Sequence, residues 1–402
     1  MRKVFCVLLF ISFVCGMIQV ERRVGNLQRR SLEDNRKSTS VELDGSASFG
    51  LYYISLSVGN PPQHFTVQFD TGSSDFAIPM STCPQSQCGE HEDAYYDPSL
   101  SENAMDISCD STMFDCESCT NDVCSYSVRY MDQSGFTALL YLDQITIGNE
   151  TVTATVGGIS TAVAGLYGFE PYEVDGIIGF AYTDISEVGA PTLMDALIVE
   201  KNYKDLFSLC MAEESGALFL GEIPNNVDNI VYTPIISEDY YTVYVTDILV
   251  DGKTIGVSQY YYNYGGAIVD SGTTELLLPS QAYNAIQASL LSMCTNVNLV
   301  GTCNIDTDNT LFNQKCISMT EEQVNQYPSL TIVLNGGVYL TIPPSSWIVQ
   351  GYCQIPNLYA IALESIPYAY GTILGDTVLK NRLTVFDREG MRIGFTSTSS
   401  CA

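Results

Sequence analysis

The feature that most constrains this chain is a motif that occurs twice. Val67-Gln68-Phe69-Asp70-Thr71-Gly72-Ser73-Ser74 is matched by Ala267-Ile268-Val269-Asp270-Ser271-Gly272-Thr273-Thr274. Each copy is followed at a distance by an apolar stretch that contains a second glycine. After the first copy it is Asp175-Gly176-Ile177-Ile178-Gly179, and after the second Thr372-Ile373-Leu374-Gly375-Asp376. Gly179 lies 109 residues beyond Asp70, and Gly375 lies 105 beyond Asp270. Two motifs repeated in one order at nearly one interval imply two homologous lobes of similar size. A chain of 402 residues gives each lobe room for its own core.

From Leu51 onward, short runs of Val, Ile, Tyr, Phe and Thr are punctuated by Gly, Pro, Asn and Asp. This patterning predicts strands over 51–58, 65–69, 144–147, 241–250 and 329–334, and helices over 192–199 and 280–293. The expected class is therefore mainly β with occasional helices. Hydrophobic residues make up 46% of the chain and charged residues only 16%, which excludes a disordered or fibrous chain.

Several chemistries are excluded early. The net charge of −29 argues against a nucleic-acid binder, which needs clustered basic residues. Only two histidines occur, His64 and His91, and neither has the helical HExxH context of a zinc protease. No GxSxG elbow is present, and Gly252-Lys253-Thr254 has Asp247 where a phosphate-binding loop needs its first glycine. Carboxylates, thiols and hydroxyls remain. In each repeated motif an apolar strand ends at Asp and turns through Gly, which lifts the carboxylate to the strand tip. The glycine permits close backbone approach, and the hydroxyls that follow can bond the carboxylate. If the lobes pack about a pseudo-twofold axis, Asp70 and Asp270 meet. Two carboxylates at hydrogen-bond distance resist joint ionisation and share a proton. The ionised one can then act as base toward a water, while the protonated one polarises a carbonyl.

With these residues the chain resembles the pepsin-like aspartic peptidases over roughly residues 48 to 400. DTGSS at 70–74, DSGTT at 270–274, DGIIG at 175–179 and ILGD at 373–376 match that family's motifs. So does the ending Val385-Phe386-Asp387-Arg388 with Ile393-Gly394-Phe395. The resemblance implies a mainly β, bilobal pepsin-like fold around a central cleft, with lobes over 45–233 and 234–402. It implies an aspartic endopeptidase acting at acid pH on protein and peptide substrates, monomeric, with no cofactor and no metal. Catalysis would fall to Asp70 and Asp270, and substrate contacts to Gly72, Ser73, Gly272, Thr273 and a tyrosine on a β-hairpin flap. Tyr130 is the candidate and Tyr126 its competitor. The glycines usual beside that tyrosine are here Met131 and Gln133, and Ala77 stands where the family often has Trp. Gln68 replaces the usual aliphatic residue two positions before the first Asp, facing either the cleft or the interior. A catalytically inactive binding protein on the same fold is the alternative. Loss of an Asp or its Gly would mark that alternative, and all four are intact. The tyrosines at 260–262 and 264 read as a surface loop.

Met1-Arg2-Lys3 followed by the apolar run 4–14 reads as a signal peptide over 1–16. It is too short for a bilayer span, so no stable membrane anchor is expected. Residues 17–44 hold most of the remaining leader charge and read as a propeptide. Eight of the 17 basic residues precede position 45, which leaves 45–402 at −32. Attraction between leader and body would fade as carboxylates protonate. Secretion, or delivery to an acidic compartment, agrees with 12 cysteines beyond the signal segment. The resemblance implies Cys83–Cys88 and Cys316–Cys353 bridges. It also implies Cys210–Cys401, as in the beta-secretase branch. Cys294 and Cys303 can close a local loop. Cys109, Cys116, Cys119 and Cys124 staple an insertion in a pairing left open, zinc being the other option. Asn149-Glu150-Thr151 is a glycosylation acceptor at Asn149.

Overall fold

The strand Gln63–Asp70 shows why this sequence folds as sheet. Phe65, Val67 and Phe69 are buried on one face, while Thr66 and Gln68 sit half-buried on the other, the period-2 alternation of a β-strand. The same alternation runs through Leu51–Val58 and Gly135–Ile147. The computed structural model describes residues 36–46, 51–89, 91, 93–163, 174–212, 215–225, 227–303, 310–350, 353 and 355–396. The expected signal segment and most of the leader lie outside them.

The duplication in sequence is a duplication in topology. In the first lobe, Gln63–Asp70 pairs antiparallel with Leu51–Val58 and parallel with Gly176–Gly179. Gly176–Gly179 pairs antiparallel with Phe76–Pro79, which pairs parallel with Glu150–Val163. In the second lobe, Ala267–Val269 pairs antiparallel with Thr242–Val243 and parallel with Thr372–Leu374. Thr372–Leu374 pairs antiparallel with Leu276–Pro279, which pairs parallel with Leu363–Ile366. Order and direction agree strand for strand. Each lobe therefore delivers its Asp at the carboxyl end of a strand, beside a parallel strand that ends at the second glycine in the first lobe and just before it in the second.

The first-lobe sheet continues through Leu51–Val58 into a stretch shared by both lobes. Its strands run Val231–Pro234, Arg392–Thr396, Arg382–Asp387, Leu206–Met211, Ser215–Leu220 and Thr39–Ser46. The central pairing, from Leu206↔Asp387 to Met211↔Arg382, joins sequence from the two lobes. Above it Phe207 stacks on Phe386 at 4.6 Å, and Tyr241 meets Phe386 at 4.7 Å. The Tyr241 hydroxyl donates to the Phe180 carbonyl at 2.6 Å, from the second lobe to the first. Buried Arg388 makes ion pairs to Asp195 at 2.7 Å and Asp205 at 3.1 Å and lies over the Tyr182 ring. A guanidinium this deep is tolerable because its charge is matched on the spot.

The helix Ser280–Met293 forms where its periodicity predicts, and Leu193–Lys201 starts at a capping box between Thr192 and Asp195. The run 241–250 is not one strand: it divides into Thr242–Val243 and Val245–Val250, each in a different sheet. The tyrosine run is not a loop, because Gln259–Asn263 is a short helix that buries Tyr262. The leader boundary expected at residue 44 falls inside the strand Thr39–Ser46, whose pairing runs from Thr39↔Leu220 to Asp44↔Ser215. The lobe boundary expected at 233 likewise falls within Val231–Pro234.

Cys83–Cys88, Cys294–Cys303 and Cys316–Cys353 are bonded. The open quartet resolves as Cys109–Cys119 and Cys116–Cys124, which leaves none of its thiolates for zinc. Cys210 is in a disulfide, and Cys401, its expected partner, lies outside the described residues. Asn149 is exposed in the turn between Gly135–Ile147 and Glu150–Val163.

His91 ties the Cys83–Cys88 segment to the strand that carries Gly179. Its Nδ1 lies 3.4 Å from the Asp175 carboxylate and its Nε2 lies 2.5 Å from the Cys88 carbonyl. Asp175 in turn accepts the Thr66 N–H at 2.7 Å. Both ring nitrogens face acceptors, and only the protonated imidazole can donate from both. Burial pulls His91 down, but the bonds to Asp175 and to the Cys88 and Val174 carbonyls hold it above its ordinary value. A raised histidine contributes stability that is complete below its unfolded value, about 6.5, and is lost as pH rises through the folded one. We therefore expect the melting-temperature difference between wild type and His91→Gln to be largest near pH 5 and to shrink above neutrality. A difference that does not change with pH, followed by circular dichroism, would refute this role.

Candidate active site

The two Asp-x-Gly turns meet head to head. Gly72 N–H donates to Asp70 Oδ1 at 2.7 Å, and Gly272 N–H donates to Asp270 Oδ1 at 2.8 Å. Ser73 Oγ donates to Asp70 Oδ2, and Thr273 Oγ1 donates to Asp270 Oδ2 at 2.6 Å. Each carboxylate is thus held by the backbone and the hydroxyl of its own turn. Both are buried, at 5% and 7% exposure, which brings their shared charge into a poorly solvated place.

The turns are also locked to each other. The Ser271 N–H donates to Thr71 Oγ1 at 2.9 Å, and the Thr71 N–H donates to Ser271 Oγ at 3.2 Å. Each hydroxyl then donates onward to the opposite strand, Thr71 to the Val269 carbonyl at 3.1 Å and Ser271 to the Phe69 carbonyl at 2.9 Å. A Cβ at Gly72 would stand 2.5 Å from Asp270 Oδ1, and one at Gly272 would stand 2.2 Å from Asp70 Oδ1. The glycines are therefore required by the approach of the opposite carboxylate. The second glycines have a related task. A Cβ at Gly179 would strike Ser74 N at 2.4 Å, and one at Gly375 would strike Thr273 O at 2.2 Å.

Burial raises Asp70 well above the ordinary carboxylate range, and the charge of Asp270 raises it further, against the pull of Ser73 and Gly72. Burial and like charge both disfavour a second negative charge at this pair.

The hairpin of Val123–Arg129 and Gly135–Ile147 carries Tyr130 in its turn. Burial raises the Tyr130 hydroxyl and the charge of Asp70 raises it further, which places this side chain within the field of the dyad. Tyr126 is fully buried, and a Cβ at Gly157 would lie 2.1 Å from its hydroxyl, so it packs the hairpin from inside. Gln133 takes the left-handed φ of 70° in the same turn, a conformation that glycine adopts more readily. The Gln68 amide donates to the Gly272 carbonyl at 3.4 Å, so it faces the opposite turn and not the interior.

Other groups near the dyad were not singled out by motif. Tyr240 is 38% exposed, and its hydroxyl is raised by burial and then by Asp270. Asp75 accepts from Ser186 Oγ at 2.7 Å and from the Glu187 N–H at 3.0 Å, and burial raises it. Asp376 is fully buried with neither oxygen hydrogen-bonded; burial raises it, Asp270 raises it further, and Lys380 opposes. Asp376 was visible in the sequence only as part of the ILGD motif. Tyr240 carried no signal beyond its place just before a predicted strand. A cavity of about 570 Å³ lies beside the flap and is lined by Asp115, Glu117, Tyr126 and Glu187 among others, but by neither dyad carboxylate.

Paired strand-tip carboxylates in a duplicated β fold define the class of aspartic hydrolases that work through a carboxylate dyad. The chain belongs to the eukaryotic aspartyl protease family, whose pattern it matches over residues 51–398. It is 28% identical to gastricsin of Macaca fuscata fuscata, covering 87% of this chain and 84% of that protein. It is 27% identical to pepsin B of Canis lupus familiaris, over 87% of this chain and 81% of the relative. Pepsin A of Gallus gallus is also 27% identical, with coverage of 87% and 84%. No helix among the described residues is long and apolar enough to cross a membrane.

The close approach of the turns generates a test. Gly72→Ala or Gly272→Ala must displace the opposite carboxylate, and a misplacement of about 1 Å can cost on the order of 10²-fold in rate. We expect each variant to lose at least that much peptide hydrolysis while keeping its β-rich circular dichroism. Activity near wild type in either variant would contradict the geometry.

Proposed function

We propose that this protein is an aspartic endopeptidase that hydrolyses peptide bonds in proteins at acid pH, using a water activated between Asp70 and Asp270. The observation that carries this reading is the buried pair itself, each carboxylate fixed by its own turn and the two turns locked together. In this reading the ionised carboxylate takes a proton from the water as its oxygen attacks the scissile carbonyl. The carboxylic acid hydrogen-bonds the carbonyl oxygen and supports the charge that develops there. The tetrahedral intermediate collapses with proton transfer to the leaving nitrogen, and the dyad returns to its single-proton state. Water is the nucleophile, so no acyl-enzyme forms. Ser73 and Thr273 orient the carboxylates, and Tyr130 closes over the substrate from the flap.

The leader and compartment belong to the same proposal. The signal segment 1–16 directs the chain into the secretory pathway, and the basic residues that follow belong to a propeptide. That propeptide spans residues 17–44, and its last residues pair with Ser215–Leu220 in the strand Thr39–Ser46. The mature protein is a monomer, secreted or held in an acidic compartment, with a Cys210–Cys401 bridge and a glycan at Asn149.

Asp70→Asn and Asp270→Asn should each reduce peptide hydrolysis by at least about 10³-fold, because an amide is neither base nor acid here. For the wild type we expect a bell-shaped dependence of kcat/KM on pH. One proton on the pair is required; it is lost as pH rises through the raised value of the dyad, and a second is gained as pH falls through the lower one. Digestion of an unfolded protein across pH 2–8, with peptides identified by mass spectrometry, checks both expectations. Undiminished turnover by a folded single mutant would reject the two-carboxylate reading in favour of another site.

A further inference from the structure

The duplication allows the two sides of the site to be compared position by position. Two residues before each Asp, on the same face of the strand, stand Gln68 and Ile268. In the first lobe Gln68 lies in a cross-strand row with Tyr53, Ile177 and Ala77. In the second lobe the corresponding row is Thr242, Ile268, Ile373 and Leu277. Ile177 matches Ile373, and Ala77 matches Leu277 as a buried apolar residue. Ile268 completes an apolar cluster with Leu277, Ile366 and Ile373. At the position next to the carboxylate, polarity therefore breaks the internal symmetry: an amide on one side and a hydrocarbon on the other.

We propose that Gln68 is a specificity-determining residue that selects a neutral polar substrate side chain on its side of the scissile bond, while Ile268 selects an apolar one on the other. This rests on the peptidase reading above. The Gln68 side chain is half-buried and its amide is tethered to the Gly272 carbonyl at 3.4 Å, which directs it toward the opposite turn that bounds the site. One N–H is engaged in that bond. The second N–H and the carbonyl oxygen remain. A hydroxyl or carboxamide of the substrate can pair with both. An aliphatic side chain laid over the same amide would strip its water and leave it unpaired, the situation that polar sites reject most strongly. Over Ile268 the preference reverses, because a polar group there loses water and finds no partner.

The experiment is cleavage of a peptide library with varied residues on both sides of one bond, at acid pH, with kcat/KM ratios read by mass spectrometry. For the wild type we expect Asn, Gln, Ser and Thr to exceed Leu and Val by about tenfold at one flanking position only. Gln68→Leu should reverse that ratio at that position and leave the preference at the other unchanged. Ile268→Gln should introduce a polar preference at the other position, and it carries the test independently if Gln68→Leu does not fold. Wild-type cleavage with an apolar preference on both sides, or an unchanged ratio in folded Gln68→Leu, would overturn the assignment of Gln68 alone. Absence of any cleavage by wild type would instead overturn the reading of the site as a peptidase centre.

Discussion

The close contact between the two glycine turns governs the arrangement of everything around it. Two carboxylates approach closely only where each turn has no side chain at its glycine and where a framework holds them against their own repulsion. The distances at Gly72 and Gly272 state the first condition, and the reciprocal bonds between Thr71 and Ser271 meet the second. Those bonds in turn need both strand ends in register across the lobe boundary. The shared stretch of sheet and the stacked Phe207–Phe386 pair supply that register, and Arg388 joins Asp195 of the first lobe to the end of the strand Arg382–Asp387. The lobes thus could not drift independently without pulling the carboxylates apart.

Much of this was legible in the sequence because the constraints are local. A strand ending at Asp-x-Gly is set by neighbours, and the duplication made the pairing of Asp70 with Asp270 an inference from symmetry. The helix 280–293 was legible from its period, and the strand 51–58 from its alternation. What escaped was non-local. Four cysteines admit three pairings, and spacing does not choose among them; even the hairpin register, which sets Cys119 opposite Cys124, leaves that pair unbonded, and the bridges are Cys109–Cys119 and Cys116–Cys124. The strand Thr39–Ser46 lies in a basic, polar stretch that reads as leader; its strand character comes from pairing with Ser215–Leu220, which no local pattern announces. Tyr240 reaches the neighbourhood of the dyad through the fold and carries no motif. The Gln68 ambiguity, cleft or interior, was a question of which face the strand presents, and the bond to Gly272 resolves it.

Acidity appears at three levels of this molecule. The dyad needs one proton in a buried place. Asp376 is a third carboxyl in the same field, raised by burial and by Asp270, so it is held neutral where an exposed carboxyl would already have ionised. The body at large carries 41 acidic residues against nine basic ones, and protonation relieves its self-repulsion. These effects act on different quantities. In the proposed function the dyad controls the chemical step, whereas the surface charge and the His91–Asp175 pair bear on how firmly the framework holds. All three favour acid, so the proposed activity and the stability of the framework can share one pH range.

Symmetry explains the chemistry, and its breaking explains the direction. A water between two equivalent carboxylates has no preferred side, yet a peptide bond has an acyl side and an amine side. The chain breaks equivalence at several places around the matched turns. The hairpin flap with Tyr130 arises from the first lobe. The residue after the second glycine is Phe180 in one lobe and Asp376 in the other, so at that matched position only the second lobe has a carboxyl in the field of the pair. The residue two before the Asp-x-Gly carboxylate is Gln68 in one lobe and Ile268 in the other. None of these differences touches the bonds that hold the two carboxylates, which repeat atom for atom from Gly N–H and Ser or Thr hydroxyl. Duplication thus fixed the parts that must match, and divergence acted on the ring of residues that meets a directional substrate.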